Sequence, residues 1–381
     1  MELKKGFNRL LVMLFAGCSL LVNPACSGQD QGVLTTVTLK NPTSKERIGK
    51  VVEIPYEKIA SSLEGVEAFL VTNASGEEVP YQLEYRGEET PVNLLVQVDL
   101  PANGGQTLEL VAGTPDSVSA KTYARYVPER MDDFAWENDK IAFRMYGKAL
   151  EGTAGDAHGI DVWVKRTSEL VINKWYKSGD YHKDHGDGMD YYSVGMTLGA
   201  GDIVPFTGDT LWFPNHYRGY QVLDNGPLRS TFRLDFEQWN AGGMPVKVSK
   251  LVSLDAGSRM NRVEVLFESP EKKTFPAAIG IVQRSGTGGH VIMDKDAGLM
   301  GYWEPAHGED GITGVGVVIE GPVRDIKLDQ GHLLGVVDIT PGEPFIYYNG
   351  AAWNKAGEIT SSGEWFDYLQ DFQDSILVSG F

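Results

Sequence analysis

Apolar and polar residues alternate with a period of two along most of the chain. The clearest runs are residues 33–39, 94–100, 107–111, 246–254 and 262–268. They are rich in β-branched and aromatic residues and are bounded by Gly, Asn, Asp or Pro, as is typical of strands. Helical periodicity is limited to residues 57–63 and 364–372. The pattern therefore predicts an all-β protein.

A polar segment rich in turn-forming residues, 113–121, divides the chain into two parts. The part before it holds roughly six strand candidates, enough for a small N-terminal β-sandwich over residues 33–120. The longer part, residues 129–381, predicts a large antiparallel β-supersandwich made of two stacked sheets. Such a sandwich offers a broad face for a chain-like ligand, and we expect the active site there.

The N-terminus has the three-part layout of a secretory signal. Three basic residues precede an apolar run over residues 10–22, and small residues follow it. The run is too short to span a bilayer comfortably. We expect residues 1–26 to be a signal peptide. Either Cys26 or Cys18 accepts a lipid, as in a lipoprotein, or the chain is cleaved after Ser27 and carries no lipid. The protein is then periplasmic or anchored to the outer membrane, and it contacts a membrane only through that lipid.

Cysteine content and charge narrow the classes of function. The only two cysteines lie in the signal region, so the mature chain has no disulfide and no cysteine nucleophile. Residues 1–26 contain three basic residues and one acidic residue, and their removal changes the net charge from −18 to −20. This charge argues against a nucleic-acid partner. An acidic ligand would need a local cluster of cationic side chains.

The stretch 175–192 is the most unusual part of the sequence. It contains two histidines, His182 and His185, and glycines at positions 179, 186 and 188 that argue against a helix. The other polar residues of interest in this stretch are Tyr181, Asp184, Asp187, Asp190 and Tyr191. His158 and His216 flank it, so four of the seven histidines fall within residues 158–216. Loops of this composition are where binding and catalytic groups collect.

Three interpretations of these residues remain open. The first is a metal site. His182-x-x-His185 could bind zinc, with His158, His216 or an aspartate completing the ligands, or Asp184, Asp187 and Asp190 could bind calcium. Acid–base catalysis on a sugar is the second. Its base would be His182, His185 or His216, and its acid Tyr181, Tyr191 or Tyr217. The third is a polar surface loop without chemistry.

Other residues could bind a sugar. Trp212, Trp353 and Trp365 could stack on sugar rings, although burial in the core is an equally good interpretation. Cationic side chains could hold a carboxylate, although surface salt bridges are the ordinary alternative. The candidates for this role are Arg218, Arg229 and Lys355, and His158 is a further ligand-binding candidate.

Several segments resemble a known family. Residues 181–190, Tyr-His-Lys-Asp-His-Gly-Asp-Gly-Met-Asp, resemble the Bacteroidetes domain of unknown function 4861, and residues 194–201, 223–229 and 352–357 do so more weakly. The resemblance implies that the protein occurs together with systems that degrade pectin and uronic acids. Residues 132–143 are also similar to the opening of galactose-mutarotase-like β-supersandwich domains, including those of some polysaccharide lyases.

Three functions follow from these observations. The first is an enzyme that cleaves a pectin-like glycan, one that contains uronic acid, by β-elimination. The second is a glycoside hydrolase or mutarotase-type enzyme, which for hydrolysis would need two carboxylates. The third is a non-catalytic glycan-binding protein. In each case the expected partner is an acidic oligosaccharide or polysaccharide, and calcium or zinc is the cofactor that the sequence allows.

Overall fold

A computed structural model describes residues 32–376 of the protein. The predicted signal peptide, residues 1–26, lies outside the described residues. Within them the chain forms 24 strands and two α-helices. The all-β prediction is therefore confirmed.

The first six strands form two small antiparallel sheets. They are β1 (Val33–Asn41), β2 (Arg47–Pro55), β3 (Phe69–Asn73), β4 (Tyr81–Glu84), β5 (Asn93–Leu100) and β6 (Gly104–Ala112). The strand orders are β1-β6-β3 and β2-β5-β4. The sheets share a core that includes Leu39, Val71 and Val96. Two 3₁₀ turns, Tyr56–Lys58 and Ala60–Ser62, replace the helical turn predicted at residues 57–63.

The remaining strands follow from Thr122 onward. They are β7 (Thr122–Val127), β8 (Asp133–Asn138), β9 (Ile141–Met145), β10 (His158–Lys165), β11 (Gly188–Met189), β12 (Met196–Thr207), β13 (Thr210–Leu211), β14 (Gly219–Asn225), β15 (Arg229–Ala241), β16 (Met244–Asp255), β17 (Met260–Glu268), β18 (Phe275–Val282), β19 (His290–Asp294), β20 (Leu299–Trp303), β21 (Thr313–Ile319), β22 (Asp325–Asp329), β23 (His332–Ile339) and β24 (Pro344–Trp353). Two further 3₁₀ turns are Lys148–Leu150 and Asn354–Ala356.

These strands build two large sheets. One has ten strands in the order β22-β23-β18-β12-β10-β9-β8-β7, with β11 beside β10 and β13 beside β12. The other has eight, in the order β14-β15-β16-β17-β24-β21-β20-β19. Side chains of both sheets, such as Phe143 and Val162 from the first and Phe232 and Val263 from the second, meet in one apolar core. The two stacked sheets agree with the predicted sandwich.

The ten-stranded sheet departs from the antiparallel prediction at one place. Strands β10 and β12 are parallel, with His158 paired to Met196. Parallel neighbours need a long crossover connection, and here residues 166–195 provide it. This crossover includes helix α1 (Ile172–Ser178). It packs Trp175 and Tyr181 against Ala142 and Trp163, on the face of the sheet opposite the main core.

Helix α2 (Ser362–Ser375) covers the outer face of the eight-stranded sheet. Ser361 and Glu364 form a reciprocal capping box at its start. Trp365 and Leu369 are buried against that sheet, where Gly314 and Gly316 leave room for them. The helix predicted at residues 364–372 is confirmed. No helix within residues 32–376 is long and apolar enough to cross a membrane.

Candidate functional site

Three charged residues lie on the outer face of the ten-stranded sheet, beneath the crossover. Asp133 on β8, Arg144 on β9 and Asp161 on β10 occupy strand positions that alternate with core residues such as Phe143 and Val162. Because side chains alternate between the two faces of a strand, these charges point away from the main core. The crossover then buries them.

Arg144 joins these aspartates to Asp190, which follows β11. Its Nη2 lies 2.6 Å from Asp161 Oδ2 and 2.9 Å from Asp190 Oδ2, and its Nη1 lies 3.8 Å from Asp133 Oδ2. The guanidinium group also lies over the rings of Tyr146 and Trp163. We call Arg144, Asp133, Asp161 and Asp190 the Arg144 cluster. All four side chains are at least 97% buried.

Burial changes the acidity of the cluster. Burial, followed by the nearby Asp190, raises the pKa of Asp161 to about 7 against the opposing effect of Arg144. Burial likewise raises the pKa of Asp190 to about 6 and that of Asp133 to about 6. Three carboxyl groups around one guanidinium group therefore hold protons well above the usual range for aspartate.

The Arg144 cluster is incompletely hydrogen-bonded. Within residues 32–376, Nε and Nη1 of Arg144, Oδ1 of Asp133 and Nη1 of Arg130 are buried and have no hydrogen-bond partner. A second buried pair under the crossover, Lys165 and Glu137, differs. Lys165 Nζ donates to Glu137 and to the Asn138 carbonyl, and Glu137 accepts two backbone N–H groups at the start of α1. That pair anchors the helix, whereas the Arg144 cluster retains free hydrogen-bonding capacity.

The rim of the cluster carries a histidine, a tyrosine and an arginine. His182 is 63% exposed, and its Nδ1 lies 2.9 Å from the Asp190 backbone oxygen and 3.4 Å from Asp190 Oδ2. Tyr181 is buried, with its ring stacked on Trp163, and its hydroxyl accepts a hydrogen bond from Arg130 Nε at 3.2 Å. The structure thus brings together two predicted acid–base residues, His182 and Tyr181, with Asp190.

A second group of residues lies at the start of β10. His216 Nε2 is 2.8 Å from Asp156 Oδ1, and the rings of His216 and His158 are 4.5 Å apart. Burial, followed by the neighbouring His216, lowers the pKa of His158 to about 4. The predicted residues His158 and His216 are therefore neighbours, but they lie apart from His182.

The residues predicted to hold zinc or calcium in the loop bind separate partners. His182 contacts Asp190, whereas His185 contacts Asp180 through Nε2 at 3.0 Å. Asp184 pairs with Arg166, and Asp187 pairs with Lys174. Asp190 belongs to the Arg144 cluster. Neither His182-x-x-His185 nor the aspartate series converges on one point, because each side chain neutralises a different neighbour.

The predicted sugar-stacking tryptophans are mostly unavailable. Trp353 and Trp365 are buried at 1% and 0% exposure, the first in the main core and the second under α2. Trp212 is partly buried, and its Nε1 donates to the Thr207 carbonyl. Tyr217 is also in the core, where its hydroxyl donates to the Asp132 carbonyl. The stacking interpretation is therefore wrong for Trp353 and Trp365.

Tyr191 belongs to a third polar group, at the 304–313 loop. Its hydroxyl is 2.6 Å from Thr313 Oγ1, and its ring stacks on His307. Nearby, Arg284 Nε donates to Glu304 at 2.9 Å, and burial raises the pKa of Glu304 to about 7. Lys355 donates to the Glu309 carbonyl of the same loop.

The two predicted carboxylate-binding arginines lie elsewhere. Arg218 is paired with Glu151 at 2.7 Å near the surface, next to His216. Arg229 is buried and binds Asp255 of the same sheet together with Glu53 and Glu84 of the N-terminal sheets. Arg229 therefore joins the two parts of the protein, and this use of its charge corrects the prediction that it faces a ligand.

A cavity of about 520 Å³ lies at this junction. It is bounded by β2, by α2 and by the outer face of β16 and β17, and Lys50, Arg229 and Arg262 are among its lining residues. The cavity and the Arg144 cluster lie on opposite outer faces of the sandwich.

Several residues of the Arg144 cluster did not emerge from the sequence. Arg144 and Asp161 each occur as a single charge inside an apolar strand, in Ile-Ala-Phe-Arg-Met and Gly-Ile-Asp-Val-Trp-Val. A lone charge at such a position indicates either a solvent-facing side chain or a buried polar site. Asp133 lies within residues 132–143, the segment that resembles the opening of a supersandwich domain, and Arg130 lies two residues before it; that resemblance was the only available signal for them.

The raised pKa values predict a pH dependence of stability. Between pH about 4 and about 7 the folded cluster holds protons that the unfolded chain releases, so its contribution to stability falls as pH rises through this window. We expect Asp161→Asn to lose less stability than the wild type between pH 5 and pH 8. Urea unfolding midpoints at both pH values measure this difference, with the exposed Asp296→Asn as control. An equal loss of stability between pH 5 and pH 8 in the wild type and both variants would contradict a raised pKa of Asp161 in the folded protein.

Comparison with known proteins identifies the family. Residues 39–378 match the model of the Domain of unknown function (DUF4861), and the chain belongs to this family. The resemblance seen in residues 181–190 is therefore confirmed. A relative from Formosa agariphila, described as Uncharacterized protein P7, is 26% identical over 391 residues, covering 96% of this chain and 97% of its own.

Two solved structures are similar to this chain at low sequence identity. A protein in the glycosyl hydrolase family 38 from Enterococcus faecalis has a TM-score of 0.49 and 12% identity over 90% of this chain. An alpha-mannosidase from the same organism has a TM-score of 0.47 and 9% identity over 90% of this chain. The chain spans about half the length of these proteins, 47% and 45% respectively.

Proposed function

We propose that this protein is a carbohydrate-active enzyme that cleaves a saccharide containing uronic acid by β-elimination at the Arg144 cluster. One observation carries the proposal. An exposed histidine, His182, is held by Asp190 at the rim of the Arg144 cluster, where the guanidinium groups of Arg144 and Arg130 retain donors without a hydrogen-bond partner. The signal-like pattern of residues 1–26 supports the further part of the proposal, that the enzyme acts outside the cytoplasm.

The free donors favour an anionic substrate. A buried donor without a partner costs about 1–3 kcal/mol, so a ligand that satisfies Arg144 and Arg130 is favoured. A planar carboxylate matches the two-pronged geometry of a guanidinium group. In a chain of net charge −18, an acidic saccharide binds only where cations gather locally. A uronate is a sugar that carries such a carboxylate.

His182 suits the role of base. The Asp190 backbone oxygen can only accept a hydrogen bond, so Nδ1 of His182 carries the hydrogen and Nε2 of the neutral ring has a free lone pair. The Asp190 carboxyl group, 3.4 Å from Nδ1, stabilises the imidazolium that forms after proton transfer. We assign removal of the proton at C5 of the uronate to Nε2.

Tyr181 suits the role of acid. Its hydroxyl oxygen accepts from Arg130 Nε, which leaves its own hydrogen available to donate. The C5–H electron pair becomes the C4–C5 double bond, the C4–O bond breaks, and the leaving oxygen takes the proton of Tyr181. Arg130 and Arg144 neutralise the carboxylate, which stabilises the charge that develops at C5.

Substrate entry requires a movement of the crossover. Arg144 is only 3% exposed and lies beneath Tyr181, so the loop of residues 180–187 must swing outward to admit a sugar. The loop must then close again, because Tyr181 and His182 belong to it and act only while they contact Arg130 and Asp190. Gly179 and Gly188 flank this loop with φ of 71° and 126°, conformations that favour glycine.

Glycoside hydrolysis is the second candidate, and the two carboxyl groups that share Arg144, those of Asp161 and Asp190, favour it. Asp161 and Asp190 bond to the same nitrogen of Arg144, and the pKa of Asp190 is raised to about 6 by burial. A carboxyl group that is protonated near neutral pH can act as a general acid. Under this mechanism Asp190, rather than Tyr181, would protonate the leaving oxygen.

A product assay decides between these candidates. The purified protein is incubated with pectic, alginate, ulvan and glycosaminoglycan oligosaccharides, with neutral oligosaccharides as control. Elimination yields an unsaturated uronide that absorbs in the ultraviolet, whereas hydrolysis yields new reducing ends without that absorbance. We expect absorbance to rise with at least one uronate substrate. New reducing ends without absorbance would contradict β-elimination and support hydrolysis. Binding without any product would contradict both mechanisms.

A further inference from the structure

Metal ions in proteins are bound by the side chains of His, Cys, Asp and Glu. Within residues 32–376, one group of three such side chains has all its potential ligand atoms within 4.8 Å of one another: Asp156, His158 and His216. Two of these atoms, His216 Nε2 and Asp156 Oδ1, are 2.8 Å apart. Tetrahedral zinc with bonds of about 2.0–2.1 Å places its ligand atoms roughly 3.3 Å apart, within the range spanned here. Small side-chain movements would therefore fit a metal ion between the three residues.

Neighbouring groups already orient these ligands. The Gly152 N–H donates to Asp156 Oδ2 at 2.9 Å, which directs Oδ1 toward His216. The His216 N–H donates to Glu151 Oε1 at 2.9 Å, and Arg218 Nη1 donates to the His216 carbonyl at 2.9 Å. The bond to Asp156 is of the kind that orients carboxylate ligands in protein metal sites, and the two bonds to His216 fix the backbone that carries its imidazole.

The group also spans the two large sheets. His158 is the first residue of β10 in the ten-stranded sheet, whereas His216 lies three residues before β14 in the eight-stranded sheet. Asp156 belongs to the loop that leads into β10. An ion held by all three would join the two sheets at this edge of the sandwich.

A simpler arrangement accounts for only part of the group. A hydrogen-bonded His216–Asp156 pair explains the 2.8 Å contact but gives no reason for a second imidazole 4.5 Å away. We propose that Asp156, His158 and His216 bind a divalent transition-metal ion of the zinc class. Two nitrogens and one carboxylate oxygen form the ligand set of an open site. Because Asp156 and His158 are half-buried, the remaining position faces solvent.

This proposal is independent of the β-elimination proposal. The metal ligands share no residue with the Arg144 cluster, and the site is distinct from the zinc arrangement predicted at His182 and His185. Loss of metal binding and loss of uronate cleavage are therefore separate results, and each can occur without the other.

Metal titration of the purified protein tests the proposal. After chelation and removal of the chelator, calorimetric titration with zinc is expected to show one equivalent bound, with a rise in Tm. Cobalt in place of zinc is expected to give the intense visible bands of a four-coordinate ion. His158→Ala and His216→Ala should each abolish stoichiometric binding, whereas His185→Ala, which removes an exposed histidine outside the site, should retain it.

Folding controls keep this test decisive. Circular dichroism and the Tm of the metal-free variants are compared with those of the metal-free wild type. Asp156→Asn, which preserves the shape of the side chain, should fold normally and weaken zinc binding at least tenfold. No stoichiometric binding of zinc or cobalt by the wild type would overturn the proposal. So would binding that survives in the His158→Ala, His216→Ala double variant.

Discussion

Replacing His182 with alanine is expected to lower kcat for uronate cleavage by about 10²- to 10⁴-fold, the usual contribution of a positioned general base. His182 is the exposed side chain of the site, and Asp190 fixes which nitrogen accepts the proton. Because its imidazole is 63% exposed, its removal should leave the fold intact. Initial rates of ultraviolet absorbance on the best substrate measure the effect.

His185→Ala is the matched control for this prediction. His185 lies on the same loop, is 56% exposed, and contacts Asp180 rather than the Arg144 cluster. We expect its kcat to stay within about twofold of the wild type, as for a surface residue without a role in the transition state. Equal losses in the two variants, or full activity in His182→Ala, would remove His182 from the mechanism.

Arg144→Met is expected to destabilise the protein by about 3–5 kcal/mol, because it leaves buried carboxyl groups without their cation. Methionine keeps much of the apolar stem of the side chain and removes the guanidinium group that lies over the rings of Tyr146 and Trp163. The loss is therefore electrostatic rather than a matter of volume. Urea unfolding at neutral pH measures it, with Arg324→Met at an exposed ion pair expected to change stability by less than about 1 kcal/mol.

A combined variant separates charge from packing in this prediction. Adding Asp161→Asn and Asp190→Asn to Arg144→Met removes the two carboxylates that contact Arg144 Nη2 most closely. If the cost of Arg144→Met arises from unpaired buried charge, the triple variant should recover a large part of it. A triple variant no more stable than Arg144→Met would assign the loss to packing.

The local features of the fold could be predicted from the sequence. Residues 246–254 and 262–268 alternate in polarity because one face of each strand meets the core, and they form β16 and β17. The helix at residues 364–372 was recognisable for the same reason. The parallel pairing of β10 and β12 was not predictable, because strand direction is set by contacts between residues distant in sequence.

The site was predictable only where unusual residues occur close together in sequence. His182, Tyr181 and Asp190 were recognised because they crowd into one loop. Arg144 and Asp161 come from separate strands, and only the sheet register places them beneath that loop. Their distance from the loop in the sequence concealed the shared site.

Misassigned residues have a common physical cause. Arg229 occupies a strand position that would face solvent in an isolated sandwich, but the N-terminal sheets cover it and supply Glu53 and Glu84 as partners. Trp365 similarly looks available for sugar stacking until α2 buries it against the eight-stranded sheet. In both cases the element that makes the contact is distant in the chain, namely the N-terminal sheets for Arg229 and strands β20 and β21 for Trp365, so local composition could not distinguish a ligand contact from an internal one.

The position of a bound substrate tests the central claim most directly. A crystal structure of the His182→Ala variant with a uronate oligosaccharide would locate the sugar carboxylate. Our account predicts that the carboxylate contacts the guanidinium groups of Arg130 and Arg144, with the loop of residues 180–187 closed over the sugar. A carboxylate bound instead in the cavity beside Lys50 and Arg262, on the opposite face of the sandwich, would contradict it.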